Sequence, residues 1–234
     1  MTMATCGAVS AATLGLPAQG AVGEAKATIP KGAFVARTPI SAKTKQHLVH
    51  DVRRVVMMEI LRPQTTGLAE GRHVPEVLVM GLELEDGETP VPRDIVELIA
   101  GQRKSGIVFV CTRTHPEEGE QAALAVRRAV PVPAGHLPRY QVHVSGWMPA
   151  DEAMLEVAGD DIDALWESMC AQAILGDMDG TDVDGRIARR ERIAELRRQV
   201  TRLTAAHQRA RTTEARNEAF AKLAHAKQEL ADLT

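Results

Sequence analysis

The sequence predicts an α+β protein: a mixed, mostly antiparallel sheet of about five strands with packed helices, followed by a C-terminal α-helical coiled-coil hairpin. Three observations predict it. Apolar runs rich in β-branched residues, bounded by Gly and Pro, recur between residues 55 and 147. Amphipathic helical patterns stand before, among and after those runs. The last fifty or so residues carry a heptad pattern together with a net positive charge, on a body that is otherwise acidic.

Residues 1–28 are rich in Ala, Gly and Thr with scattered apolar residues, and read as a weakly structured N-terminal segment. Thr28-Ile29-Pro30-Lys31-Gly32-Ala33-Phe34 brings the first substantial anchors, so the α+β domain is expected over 29–176. Ser41 is a fair N-cap for a helix through about Arg53 that buries Leu48, Val49 and Val52. The run Val55–Leu61 could continue that helix, but its β-branched residues and the stop at Pro63 favour a strand. A Gly- and Pro-containing loop covers 64–75, and Val77–Leu84 reads as a strand apolar on both faces at its start.

Asp86-Gly87 is a turn, and Pro90 and Pro92 lead into a helix that places Ile95, Leu98 and Ile99 on one face. Gly106–Cys111 is a second buried strand, and Ala122–Val130 a third, ended by Pro131 and Pro133. Tyr140–Trp147 alternates as a strand with one solvated face should. Asp160–Leu175 is an amphipathic helix using Ile162, Leu165, Trp166, Met169 and Ile174. Residues 177–185 read as an acidic linker, and 186–234 as a basic coiled-coil helical tail.

In the tail, Ile193, Leu196, Val200 and Leu203, then Ala219, Leu223, Ala226, Leu230 and Leu233, alternate at three and four residues and form a seam that must be buried. An antiparallel hairpin of helices 187–207 and 214–232 would let each seam bury the other. A single long helix that forms a homo-oligomer is the competing geometry. Residues 186–234 hold 12 Lys+Arg against 6 Asp+Glu, whereas the other 185 residues hold 16 against 25. That polarity speaks of partners. Arg189, Arg190, Arg197 and Arg198 are the expected contacts to nucleic acid or to an acidic partner surface, since clustered arginines gain from counterion release along phosphates. The bland alternative is a solvated outer face of the coiled coil.

Composition excludes several classes. Aromatic residues make up only 3%, leaving few platforms for stacking single-stranded bases. Cys6, Cys111 and Cys170 form no Cys-x-x-Cys pair, which speaks against a zinc ribbon or disulfide framework and for a reducing cytoplasm. Neither a secretory leader nor a membrane span is expected. No Walker, Rossmann or Gly-x-Ser-x-Gly motif is present, so no cofactor, metal or catalytic residue is assigned. The aspartates of 177–185 fail as a calcium loop because Asp182 falls where glycine is required and Ala188 where glutamate is. His47 and His50 lack a third ligand at metal spacing and read as surface residues. Cys111 reads as a core cysteine. Glu76, Glu83 and Glu85 invite comparison with a Mg²⁺-dependent nuclease, but no lysine follows at the spacing needed to orient water.

Several short motifs taken together resemble one bacterial family. They are Leu16-Pro17, Ile29-Pro30-Lys31 with Phe34, Arg62-Pro63-Gln64-Thr65, Val74-Pro75-Glu76-Val77, Trp147-Met148-Pro149, and the tail residues Leu196, Asn217, Phe220, Leu223 and Leu230. The family is the one catalogued as domain of unknown function 4391. This chain departs from its pattern at Glu59, where a basic or polar residue is expected, and in its acidic linker. The resemblance implies a gene neighbourhood of helicases and DNA methyltransferases in phage-defence or restriction islands, and carries no catalytic residues over. The resulting expectation is a non-enzymatic accessory or adaptor subunit that binds a helicase or DNA methyltransferase subunit and DNA. The alternatives are a divergent Mg²⁺-dependent nuclease and an autonomous DNA-binding dimer.

Overall fold

Alternation along the strands and glycines at crossing points build this fold. The computed structural model describes residues 2–36, 39–133 and 135–234. It divides into two compact units, 1–181 and 182–234. The N-terminal segment forms β1 (Thr5–Cys6), β2 (Val9–Ser10), α1 (Glu24–Ala27) and α2 (Gly32–Val35). Next come α3 (Ala42–His50), β3 (Val52–Leu61), α4 (Pro63–Thr66), β4 (Val77–Leu84) and α5 (Arg93–Ala100). The unit is completed by β5 (Gly106–His115), β6 (Gly119–Val130), β7 (Arg139–Val144), β8 (Met148–Pro149) and α6 (Ile162–Leu175). The second unit is α7 (Val183–Arg209) and α8 (Thr213–Leu233).

The main sheet has the order β3-β4-β5-β6-β7, with β8 also paired to β6. Only β4 and β5, joined through α5, run parallel; the other pairings are antiparallel. The mixed, mostly antiparallel α+β sheet is therefore as the sequence predicts. Ser41 caps α3 by accepting the Thr44 amide at 3.0 Å, and the chain turns into β3 directly after Asp51. Val52 is thus buried on a strand, and Val49 is exposed on the helix rather than buried.

Alternation sends Leu78, Met80, Leu82 and Leu84 of β4, with Ile107, Phe109 and Cys111 of β5, to one face. There they meet Ile95, Val96 and Ile99 of α5 and Leu48 of α3 in a single apolar core. His47, expected at the surface, instead links these helices through Nδ1 to the Asp94 carboxylate at 2.8 Å.

The opposite face corrects the expectation for residues 1–28. Ala4, Cys6, Val9, Leu14 and Ala27 are fully buried there. A side chain at Gly81 would bring a Cβ within 2.5 Å of the Cys6 Cβ, so only glycine lets β1 lie so close to β4. The segment also extends the sheet edge: Val22 donates to the Met58 carbonyl at 3.0 Å, Ile60 to Gly20 at 3.0 Å, and Ile29 to Val55 at 2.8 Å. α6 covers the rest of this face, where the Trp166 ring sits so tightly on Gly106 that a Cβ would come within 2.4 Å of it. The Asp161 side chain caps α6 by accepting the Ala164 amide at 2.8 Å.

The linker expected at 177–185 is also shorter than anticipated. Asp182 caps α7 from a left-handed conformation (φ 43°), and the helix starts at Val183. α7 and α8 form an antiparallel hairpin, in which Arg192 Nε meets Glu229 at 2.7 Å and His207 lies 5.9 Å from the ring of Phe220 near the turn. Leu196, Leu223 and Ala226 are buried, while Ile193, Val200, Leu203 and Leu230 are half-buried along the same seam. Among the described residues no helix is long and apolar enough to cross a membrane.

Candidate functional site

Three places concentrate polar chemistry: the charged end of the sheet, a buried carboxyl under the N-terminal segment, and the basic hairpin. The first lies where β4 and β5 end. Glu83 projects to the face that carries the N-terminal segment, and Arg54 on the neighbouring strand meets it at 3.1 Å. The same guanidinium reaches Glu24 at 2.9 Å and the Thr5 carbonyl at 2.8 Å, clamping α1 and β1 to the sheet. Arg53, one residue earlier, bonds Asp86 at 3.0 Å and Glu85 at 3.2 Å. Those two hydrogen bonds raise the Arg53 guanidinium, and the one to Asp86, together with Thr114, lowers the Asp86 carboxyl.

Beside this network is a small cavity of about 100 Å³ lined by Gly7, Arg53, Glu83, Thr112, Arg113 and Gln121, among others. Two of the acids that line it, Glu83 and Asp86, already face a guanidinium, which weighs against a divalent ion there. Cys6 lies against Thr112, Sγ to Oγ1 3.2 Å. Burial pushes its thiol up to about 12 despite the Thr112 hydrogen bond, and burial raises Cys111 as well. Neither carries the thiolate that a nucleophile requires.

The structure does not bring the three glutamates of the nuclease comparison together. Glu76 precedes β4 and is held by Arg62 at 3.1 Å and Ser105 at 3.0 Å. Glu83 lies near the other end of the strand, about 20 Å away at the usual rise per residue. Glu85 is engaged by Arg53. Among the described residues no group of three His, Cys, Asp or Glu side chains is placed to hold a metal ion.

The second place is Glu59, which sequence reasoning marked only as an unexpected residue. A register irregularity between Met57 and Glu59 turns both Met58 and Glu59 toward the N-terminal segment. Glu59 is 0% exposed, and neither of its oxygens has a hydrogen-bond partner among the described residues. A Cβ on Gly20 would lie 2.1 Å from Oε1, so glycine there makes room for the carboxyl. Burial raises its pKa to about 7.

In the hairpin, the four arginines singled out by charge do not share a face. Arg189 donates from Nε and Nη2 to the Leu233 carbonyl at 3.0 and 2.7 Å, closing the C-terminal end of α8. Arg198 pairs with Glu195 on its own helix at 2.7 Å, yet its side chain remains 69% exposed. At about 100° per residue, Arg190 and Arg197 fall on one flank of the seam. Arg198 falls with Arg202 and Arg209 on the face opposite Leu196, and all three are exposed. Neither Arg202 nor Arg209 was among the expected contacts; helical phase would have ranked them.

Comparison with known proteins decides the family. A family model described as a domain of unknown function, DUF4391, matches residues 14–230. The chain belongs to the DUF4391 family. No curated protein and no solved structure gives a match.

The DUF4391 match spans both compact units, and within the first unit two of the short motifs of the sequence are tied together. Arg62-Pro63-Gln64-Thr65 forms α4, where the Thr65 hydroxyl accepts the Arg62 amide at 3.0 Å. Arg62 then pairs with Glu76 of Val74-Pro75-Glu76-Val77 at 3.1 Å. The Val74 amide and the neighbouring Arg72 amide each donate to Asp163 of α6 at 2.8 Å. Desolvation opposes the Asp163 charge, but those two amides and the His73 ring hold its carboxyl below the ordinary range. In this DUF4391 chain these motifs serve architecture: they fasten the 62–76 loop to α6.

Proposed function

We propose that this DUF4391 chain is a non-enzymatic accessory subunit of a bacterial phage-defence or restriction-type complex, binding a helicase or DNA methyltransferase partner and DNA. The observation that carries the reading is the outer face of α7. Leu196, Leu223 and Ala226 bury one another's side of the hairpin, so the seam is occupied within one chain. The opposite face then presents Arg198, Arg202 and Arg209 in a row to solvent. A rigid helical ridge of guanidinium groups holds charge where phosphates or an acidic protein surface can meet it, with little ordering left to do on binding. The engaged state of Glu76, Glu83 and Glu85 weighs against the nuclease alternative. The hairpin weighs against an oligomer built from one continuous helix.

Duplex DNA titrated into the full chain over a range of salt tests the DNA arm. Each phosphate neutralised contributes about 0.9 to the slope of log affinity against log salt. Reversing three contacts in Arg198→Glu/Arg202→Glu/Arg209→Glu should therefore lower the slope by about 2.7. An unchanged slope removes this face from DNA binding. Mg²⁺-dependent cleavage of the DNA that is lost in Glu83→Ala would establish the nuclease instead.

A further inference from the structure

On the first unit lies an open groove of about 710 Å³. Its floor is Leu124 and Leu155, both buried, and its walls are Met148, Met154 and Met178. Met154 is 67% exposed and Met178 47%, so two of the seven large apolar side chains exposed among the described residues stand on this one feature. Three acidic residues, Glu152, Glu156 and Asp177, also line it, and no Lys or Arg is part of the lining.

The backbone edge in the groove is closed. The Gln172 side chain accepts the Glu156 amide at 2.8 Å and donates to the Glu156 carbonyl at 2.9 Å. A strand adding to that edge would find both groups taken, which disfavours an extended peptide. What remains is methionine, whose unbranched side chain adapts to apolar shapes, rimmed by negative charge. We infer that this groove docks a basic amphipathic helix of a partner protein, its apolar residues at i, i+3, i+4 and i+7 on the methionines and its Lys or Arg on the acidic rim. This groove shares no residue with the arginine face of α7 and does not rest on the function proposed for that face.

The test uses the full chain and two labelled synthetic helical peptides that share leucines at those positions. One carries lysine at every other place and the other glutamate. The lysine peptide should bind saturably and the glutamate peptide should not. Met154→Glu/Met178→Glu and Glu152→Lys/Glu156→Lys change exposed side chains only, and their thermal unfolding should match that of the native chain. Each should weaken the lysine peptide by about tenfold or more, as loss of an interface centre or of its charge does. Equal binding of both peptides, or affinity unchanged in both variants, overturns the inference. So does a salt-sensitive self-association seen by sedimentation and abolished in Met154→Glu/Met178→Glu, because the occupant would then be a second copy of the chain.

Discussion

Glu59 should make the stability of this protein fall as pH rises through neutrality, and Glu59→Gln should abolish that fall. The carboxyl is fully buried with both oxygens unpartnered among the described residues, and burial lifts it from 4.5 to about 7. Below the ordinary value both folded and unfolded chains carry the proton, and the group contributes nothing to pH dependence. Between the two values the unfolded chain has lost its proton while the folded chain still holds it, so stability declines with rising pH. Above the folded value the decline levels off at a cost of about 3 kcal/mol. Between pH 5 and pH 8 Glu59→Gln should therefore gain about 2.5 kcal/mol on the native protein. Urea unfolding followed by Trp147 and Trp166 fluorescence at several pH values measures the difference, in which all other titrating groups cancel. Hydrogen exchange adds location: the Val22 and Ile60 amides bond to Met58 and Gly20 around the carboxyl. Their protection relative to Glu59→Gln should drop on the alkaline side. Parallel stability curves for the two proteins would refute the reasoning.

Three further outcomes follow from the packing. Leu196→Ala removes a fully buried seam residue, which should cost about 2–4 kcal/mol and reduce helical circular dichroism while the sheet signal persists. Gly81→Ala drives a Cβ to 2.5 Å from Cys6; it should destabilise by about 1–3 kcal/mol and speed alkylation of Cys6, the sign that the N-terminal segment has lifted. Asp163→Asn weakens the anchor of the Arg72, His73 and Val74 amides. Because the native carboxyl is held low, its contribution is present above the ordinary aspartate range and lost as pH falls through its lowered value. Acid unfolding curves of Asp163→Asn and the native chain should therefore converge at low pH.

The strands were legible because their apolar runs are long and end at Gly or Pro, and the hairpin because its apolar seam breaks after Leu203 and resumes at Ala219. The N-terminal segment was not. Ala4, Cys6 and Ala27 are too small to register as a periodic apolar pattern, and they pack because Gly20 and Gly81 admit close approach. A glycine inside the apolar run Val77–Leu84 was the available sign that another backbone crosses there. The polar sites divide in the same way. Net charge located the arginine-rich helix, but Arg189 is spent on the Leu233 carbonyl, a role fixed by where the partner helix ends. Glu76 stands just before the strand that carries Glu83, and the length of that strand is what keeps them from sharing an ion.

The central claim, a partner-binding role for the outer arginine face of α7, is tested most directly by purifying tagged protein from its own host, native and Arg198→Glu/Arg202→Glu/Arg209→Glu side by side, and identifying what accompanies each by mass spectrometry. The account predicts a helicase or DNA methyltransferase with the native chain and its loss from the variant, with the variant's helical content unchanged. A chain that emerges alone in both forms, or one that retains the same partner in both, would contradict it.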